Sequence, residues 1–130
     1  MPITAIYAAL IALLFVVLSF RVTNVRRAEK ISLGSGGNPA FEQRIRAHAN
    51  CAEYAPLALI LIGLLESLHA PAAALHTLGA TLVFARTAHA YGLSQTPQFI
   101  PGRMIGMILT FAVLGLGACG CLWLGIMGAR

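Results

Sequence analysis

Charge is what this chain has least of. Only 10% of its 130 residues are Asp, Glu, Lys or Arg, where an ordinary soluble domain carries about a quarter. With 58% hydrophobic residues and a mean hydropathy of +0.82, the composition excludes a soluble domain and predicts one compact all-α bundle in a membrane. No soluble segment and no internal repeat interrupts it. The formal charge of +5 does not predict a nucleic-acid partner, because the basic residues cluster between apolar segments, as membrane topology requires. Metal-ligand spacing is missing too. Cys51, Cys119 and Cys121 all lie in apolar stretches, so neither a metal site nor a disulfide is expected. No basic residue precedes the first apolar run. A cleaved signal peptide would carry one, so this run is expected to be retained.

What is present reads as four transmembrane helices in a single domain over residues 1–130, at about 3–28, 40–68, 72–93 and 102–128. Ile3 to Phe20 is uninterrupted and apolar, long enough to span a bilayer core, and is followed by Arg21, Arg26, Arg27 and Lys30. Ser32 to Pro39, SLGSGGNP, cannot continue a helix. The second helix starts near Pro39 or Phe41. Pro56 inside it removes a backbone donor and crowds the carbonyl of Ala52, so a kink is expected below Glu53. His69 to Ala72 makes a tight connection, and SQTPQFIPG leads to Arg103. The last helix is glycine-rich, and its Gly102-x-x-x-Gly106 step allows close helix approach in lipid.

Four spans put Arg21, Arg26, Arg27, Lys30, Arg44, Arg46, Arg86 and Arg103 on one side and Arg130 on the other. The positive-inside rule makes the first side cytoplasmic, with both termini outside. The polar groups of the second, third and fourth helices therefore gather at the cytoplasmic end.

The densest polar stretch there is Phe41 to Leu57, FEQRIRAHANCAEYAPL. At about 100° per residue, Glu42, Arg46, Asn50 and Glu53 share one face, and Leu57, Ile60 and Leu64 continue it. Arg46 and Glu53 stand roughly 10 Å apart along the axis with Asn50 between them. Opposite charges with a hydrogen-bonding rung between them suit a small zwitterion laid along the helix. Neutralisation of Glu53 by Arg86 or Arg46 is the structural alternative.

At these residues the chain resembles the family of membrane-associated proteins in eicosanoid and glutathione metabolism (MAPEG). Phe41-Glu42, Arg46-Ala47, Asn50-Cys51, Glu53-Tyr54 and Pro56-Leu57 carry the resemblance. Val25-Arg26-Arg27-Ala28, Phe84-Ala85-Arg86 with His89, and Arg103 extend it over nearly the whole chain, and the likeness is to the short bacterial members. It implies a homotrimer of four-helix subunits in an inner membrane, with glutathione as co-substrate between subunits near the cytoplasmic surface. By position, Arg46, Asn50 and Glu53 would hold the peptide, Glu53 meeting the amino group. Arg26 or Arg27 would reach a carboxylate, and Tyr54, Arg86 and His89 would complete the site. Arg103 would be the catalytic residue, favouring the thiolate.

The implied activity is a glutathione transferase acting in detoxification on lipophilic electrophiles dissolved among membrane lipids, with peroxidase chemistry open to the same thiol. The electrophile would enter by a groove between the first and fourth helices. Where catalytic relatives often have a tyrosine, one turn beyond His89, this chain has Leu93. A non-catalytic lipid-binding or scaffold protein on the same fold is the alternative. A proton-coupled exporter would need a carboxylate in the first helix, which has none between Ile3 and Phe20. Glu66, His69 and His76 lie toward the outer side and receive no role.

Overall fold

The computed structural model describes residues 1–128; Arg130, the outer-side charge in the topology argument, lies outside the described residues. Four helices follow one another: α1 (Pro2–Glu29), α2 (Pro39–Ser67), α3 (Ala72–Ser94) and α4 (Ile100–Gly128). Helices α1, α2 and α4 are long and apolar enough to cross a membrane. The third, expected as a span like the others, is not among them. It is the helix that carries His76, Arg86 and His89, and it touches all three neighbours.

Local chemistry sets the boundaries. Pro2 and Pro39 sit in the first turns of α1 and α2, where a missing N–H costs nothing. Asn38 caps α2 by accepting from the Phe41 amide at 3.1 Å. Lys30 ends α1 in the left-handed region (φ 52°), with the Ile31 amide closing onto the Arg26 carbonyl at 3.0 Å. His69 (φ 61°) ends α2 in the same conformation, and Ala70 donates back to Leu65 at 2.9 Å. Pro101 falls in the first turn of α4, which begins at Ile100 rather than at Gly102. Helix α2 runs through Pro56 without interruption.

Glu66 does have a structural task. Its carboxylate accepts from the amides of Ile3 (3.0 Å) and Thr4 (2.8 Å) and from the Thr4 hydroxyl (2.6 Å). A residue at the end of α2 thereby caps the start of α1, where free N–H groups and the helix dipole favour negative charge. Nearby, the Tyr7 hydroxyl meets His76 Nδ1 at 2.9 Å.

The core holds small and branched residues from all four helices, among them Ile11, Ala58, Ile62, Leu82 and Val113. The most extensive packing is between α3 and α4. A Cβ on Gly106 would stand 2.6 Å from both the Ala85 carbonyl and the His89 Cβ, so only glycine fits there. Helices α1 and α4, by contrast, do not touch among the described residues. A groove between them cannot form within one chain. Broad apolar surfaces remain exposed on both, including Leu13, Val17 and Phe20 on α1 and Ile108, Phe111 and Leu116 on α4.

Candidate functional site

A cleft of about 340 Å³ opens among the start of α2, the end of α3, the α3–α4 connection and the start of α4. From α2 it receives Glu42, Gln43, Arg46 and Asn50, spaced so that successive turns present them to one side. His89 and Leu93 come from α3, Gln98 from the connection, and Arg103 and Met107 from α4.

Behind the lining lies Arg86, 1% exposed. Its Nη1 donates to Asn50 Oδ1 at 2.7 Å, and its Nη2 donates to the Gly106 carbonyl at 3.4 Å. The guanidinium also stands 5.8 Å over the Tyr54 ring, which meets Phe111 edge-on at 5.8 Å. Among the described residues its Nε has no partner. A buried guanidinium is therefore held by neutral acceptors and an aromatic face rather than by a carboxylate, an arrangement that leaves positive charge uncompensated behind the cleft.

His89 is 4% exposed. Its Nδ1 lies 3.0 Å from the Arg103 carbonyl, while Nε2 is buried without a partner among the described residues. Arg103 reaches back to Gln98, Nη1 to Oε1, at 2.9 Å, and its side chain is exposed at the cleft. Arg46 is likewise exposed at the cleft. Arg46, and the Arg103 donors that Gln98 does not take, can meet an anion entering from the basic end.

Arg46, Asn50, His89 and Arg103 thus come together on one cleft, with Arg86 one contact behind through Asn50 and Tyr54 beside Arg86. Glu53 does not join them. It is exposed at the middle of α2, on the stripe continued by the exposed Leu57, Ile60 and Leu64, and among the described residues neither Arg46 nor Arg86 bonds it. Arg26 is engaged elsewhere: it donates to the Gly34 carbonyl at 3.1 Å and lies 5.3 Å over the Phe41 ring. Arg27 is exposed at the end of α1, and α1 supplies no residue to the cleft.

Sequence patterning alone assigns no role to three polar lining residues, Glu42, Gln43 and Gln98, or to the apolar Met107. Glu42 shares the polar face of α2 with Glu53, and helical phase alone does not separate the two carboxylates. Gln43 and Gln98 are ordinary polar residues near helix ends, and the five-residue spacing of Gln98 from Arg103 was the one available signal.

The MAPEG family model matches residues 4–123. Inner membrane protein YecN of Escherichia coli (strain K12) is 33% identical over 121 residues, covering 93% of this chain and 91% of that protein. Leukotriene C4 synthase of Cavia porcellus is 33% identical over 106 residues, covering 75% of this chain and 69% of that protein, and the Mus musculus enzyme is 34% identical over 106 residues. With the family model matching almost from end to end and relatives alike over most of their own length, the chain belongs to the MAPEG family.

Proposed function

We propose that this chain is a membrane-bound glutathione transferase that joins glutathione, as its thiolate, to lipophilic electrophiles from the bilayer. The observation that carries the reading is the convergence of Arg46, Asn50, His89 and Arg103 on one cleft, whose volume of about 340 Å³ falls within the roughly 300–1,000 Å³ of small-molecule sites. Glutathione has two carboxylates, which suit guanidinium forks, and one ammonium, which suits a carboxylate. Leukotriene C4 synthase among the relatives supports a conjugating chemistry. The protein sits in an inner membrane, as the name of the YecN relative supports, with the cleft cytoplasmic and both termini outside.

The functional unit is a homotrimer. Glu53 lies exposed on an apolar stripe, and a carboxylate left against lipid is costly. A neighbouring copy that covers this face would bring Glu53, Arg26 and Arg27 within reach of a peptide held at Arg46 and Asn50. Glu53 then meets the ammonium, and an α1 arginine meets a carboxylate. The same assembly would create the electrophile's groove between α1 of one copy and α4 of the next, since among the described residues the two helices do not meet within a chain.

In the reaction, the Arg103 guanidinium stands by the sulfur and lowers the free energy of its anionic form, which is the nucleophile. The sulfur lone pair forms the bond to the electrophilic carbon as the leaving group departs with its electron pair, and a hydroperoxide would accept the same attack at oxygen. Leu93, an apolar side chain in the cleft, suits a lipid-binding role better than catalysis; the guanidinium of Arg103 in the same cleft favours the enzyme. Isothermal titration of glutathione into detergent-purified protein, beside conjugation of a lipophilic aryl halide, tests the proposal. Saturable binding with turnover is expected, and binding of lipid alone would overturn it.

A further inference from the structure

If a thiolate forms in this cleft, the thiol proton needs a destination, and the bonding of His89 supplies one. A carbonyl oxygen can only accept, so the 3.0 Å contact with the Arg103 carbonyl requires the hydrogen of His89 to be on Nδ1. In the neutral ring Nε2 is then a bare lone pair, and it is buried with no partner. Gly106 lets α4 pack directly on the His89 Cβ, which fixes the base of this side chain at the cleft.

The neighbouring charges decide the resting form. Arg86 lies three residues back on the same helix, and Arg103 from α4 and Arg46 from α2 line the same cleft. Glu42 is the one carboxylate in the lining and is exposed. A lone imidazolium among three guanidiniums, itself nearly closed to solvent, would be a further uncompensated cation. An imidazolium formed together with a thiolate would not, because the pair adds no net charge.

We propose, on the basis of the glutathione reading, that His89 Nε2, closed over in the unliganded cleft, is uncovered as the peptide binds and accepts its thiol proton. The S–H bond breaks with both electrons left on sulfur, and the proton bonds to the Nε2 lone pair. Arg103 holds the sulfur charge while a sulfur lone pair forms the bond to carbon. When an epoxide or an activated alkene is attacked, the displaced electron pair settles on oxygen or on the adjacent carbon, which recovers the proton from Nε2. When a halide leaves, the proton passes to water. His89 thus binds the backbone carbonyl of Arg103 through one nitrogen and serves the sulfur through the other.

The test mixes glutathione with the detergent-purified wild-type protein in weak buffer and follows thiolate absorbance together with an indicator of released protons. Thiolate is expected to form without matching proton release, because the proton stays on the protein. His89→Gln keeps a hydrogen-bonding group but cannot take a proton. It is expected either to lose the thiolate or to form it with a proton released for each, and its turnover is expected to fall about 100-fold. A wild-type protein that releases one proton per thiolate overturns the proposal, and that reading needs no variant to fold. A His89→Gln protein with wild-type thiolate and no release overturns it as well. Absence of glutathione binding would instead remove the glutathione reading on which it stands.

Discussion

Arg86 Nη1 and Asn50 Oδ1 stand 2.7 Å apart, and this bond joins the interior of α3 to the lining of the cleft on α2. Asn50 is therefore oriented from behind by a buried cation, which leaves its amide nitrogen for whatever enters the cleft. The first prediction follows from that division of labour. Asn50→Leu strands the Arg86 guanidinium without its shortest partner and should destabilise the fold by about 2–3 kcal/mol. In the Arg86→Met background the same change should cost much less. Thermal unfolding of both singles and the double variant in detergent measures the coupling, and additive losses would show the two side chains to be independent.

The seam between α3 and α4 gives a second prediction. Gly106→Ala places a methyl 2.6 Å from the Ala85 carbonyl and the His89 Cβ. The helices must separate, at about 1–3 kcal/mol, and His89 must shift in the cleft. Gly115→Ala, where nothing lies within 4 Å of the added Cβ, should leave the melting temperature unchanged. A tolerant Gly106 and a sensitive Gly115 would contradict this packing.

Glu66 caps α1 from the opposite end of the molecule from the cleft. Glu66→Gln should speed hydrogen exchange at the amides of Ile3 and Thr4 and leave glutathione binding intact. Loss of binding together with unchanged exchange would reverse that assignment.

Glu53 separates the single-chain cleft from the shared one. In the homotrimer reading Glu53→Gln weakens glutathione binding by about tenfold or more, the share of one charge-assisted hydrogen bond. Titration calorimetry of Glu53→Gln beside Glu42→Gln measures it, with mass by light scattering to count subunits. A protein that is monomeric in mild detergent, or whose binding depends on Glu42 and ignores Glu53, would place the ammonium at the single-chain cleft instead.

The fold was legible because apolarity and punctuation agree. SLGSGGNP and the prolines at positions 39, 71 and 101 divide the chain into four helices. The standing of α3 was harder to read, since it packs against all three other helices and buries Arg86 and His89 there, at the expense of the apolarity of a lipid-facing span. Within the candidate site, helical spacing placed Arg46 and Asn50 together, but phase alone could not tell that the cleft ends before Glu53. It also missed that Asn50 faces Arg86. That bond joins residues 36 apart and depends on how α2 and α3 dock. Glu66 went unassigned because its partners, Ile3 and Thr4, lie more than 60 positions away and use backbone amides, which leave no mark in side-chain patterning.

The most direct test of the account is the thiolate difference spectrum recorded when glutathione is added to detergent-purified protein, run beside Arg103→Ala. A thiolate band in the parent that Arg103→Ala loses, together with conjugation slowed about 100-fold or more, is the predicted result. Glutathione that binds the parent without any thiolate band, or a band of equal strength in Arg103→Ala, would contradict it.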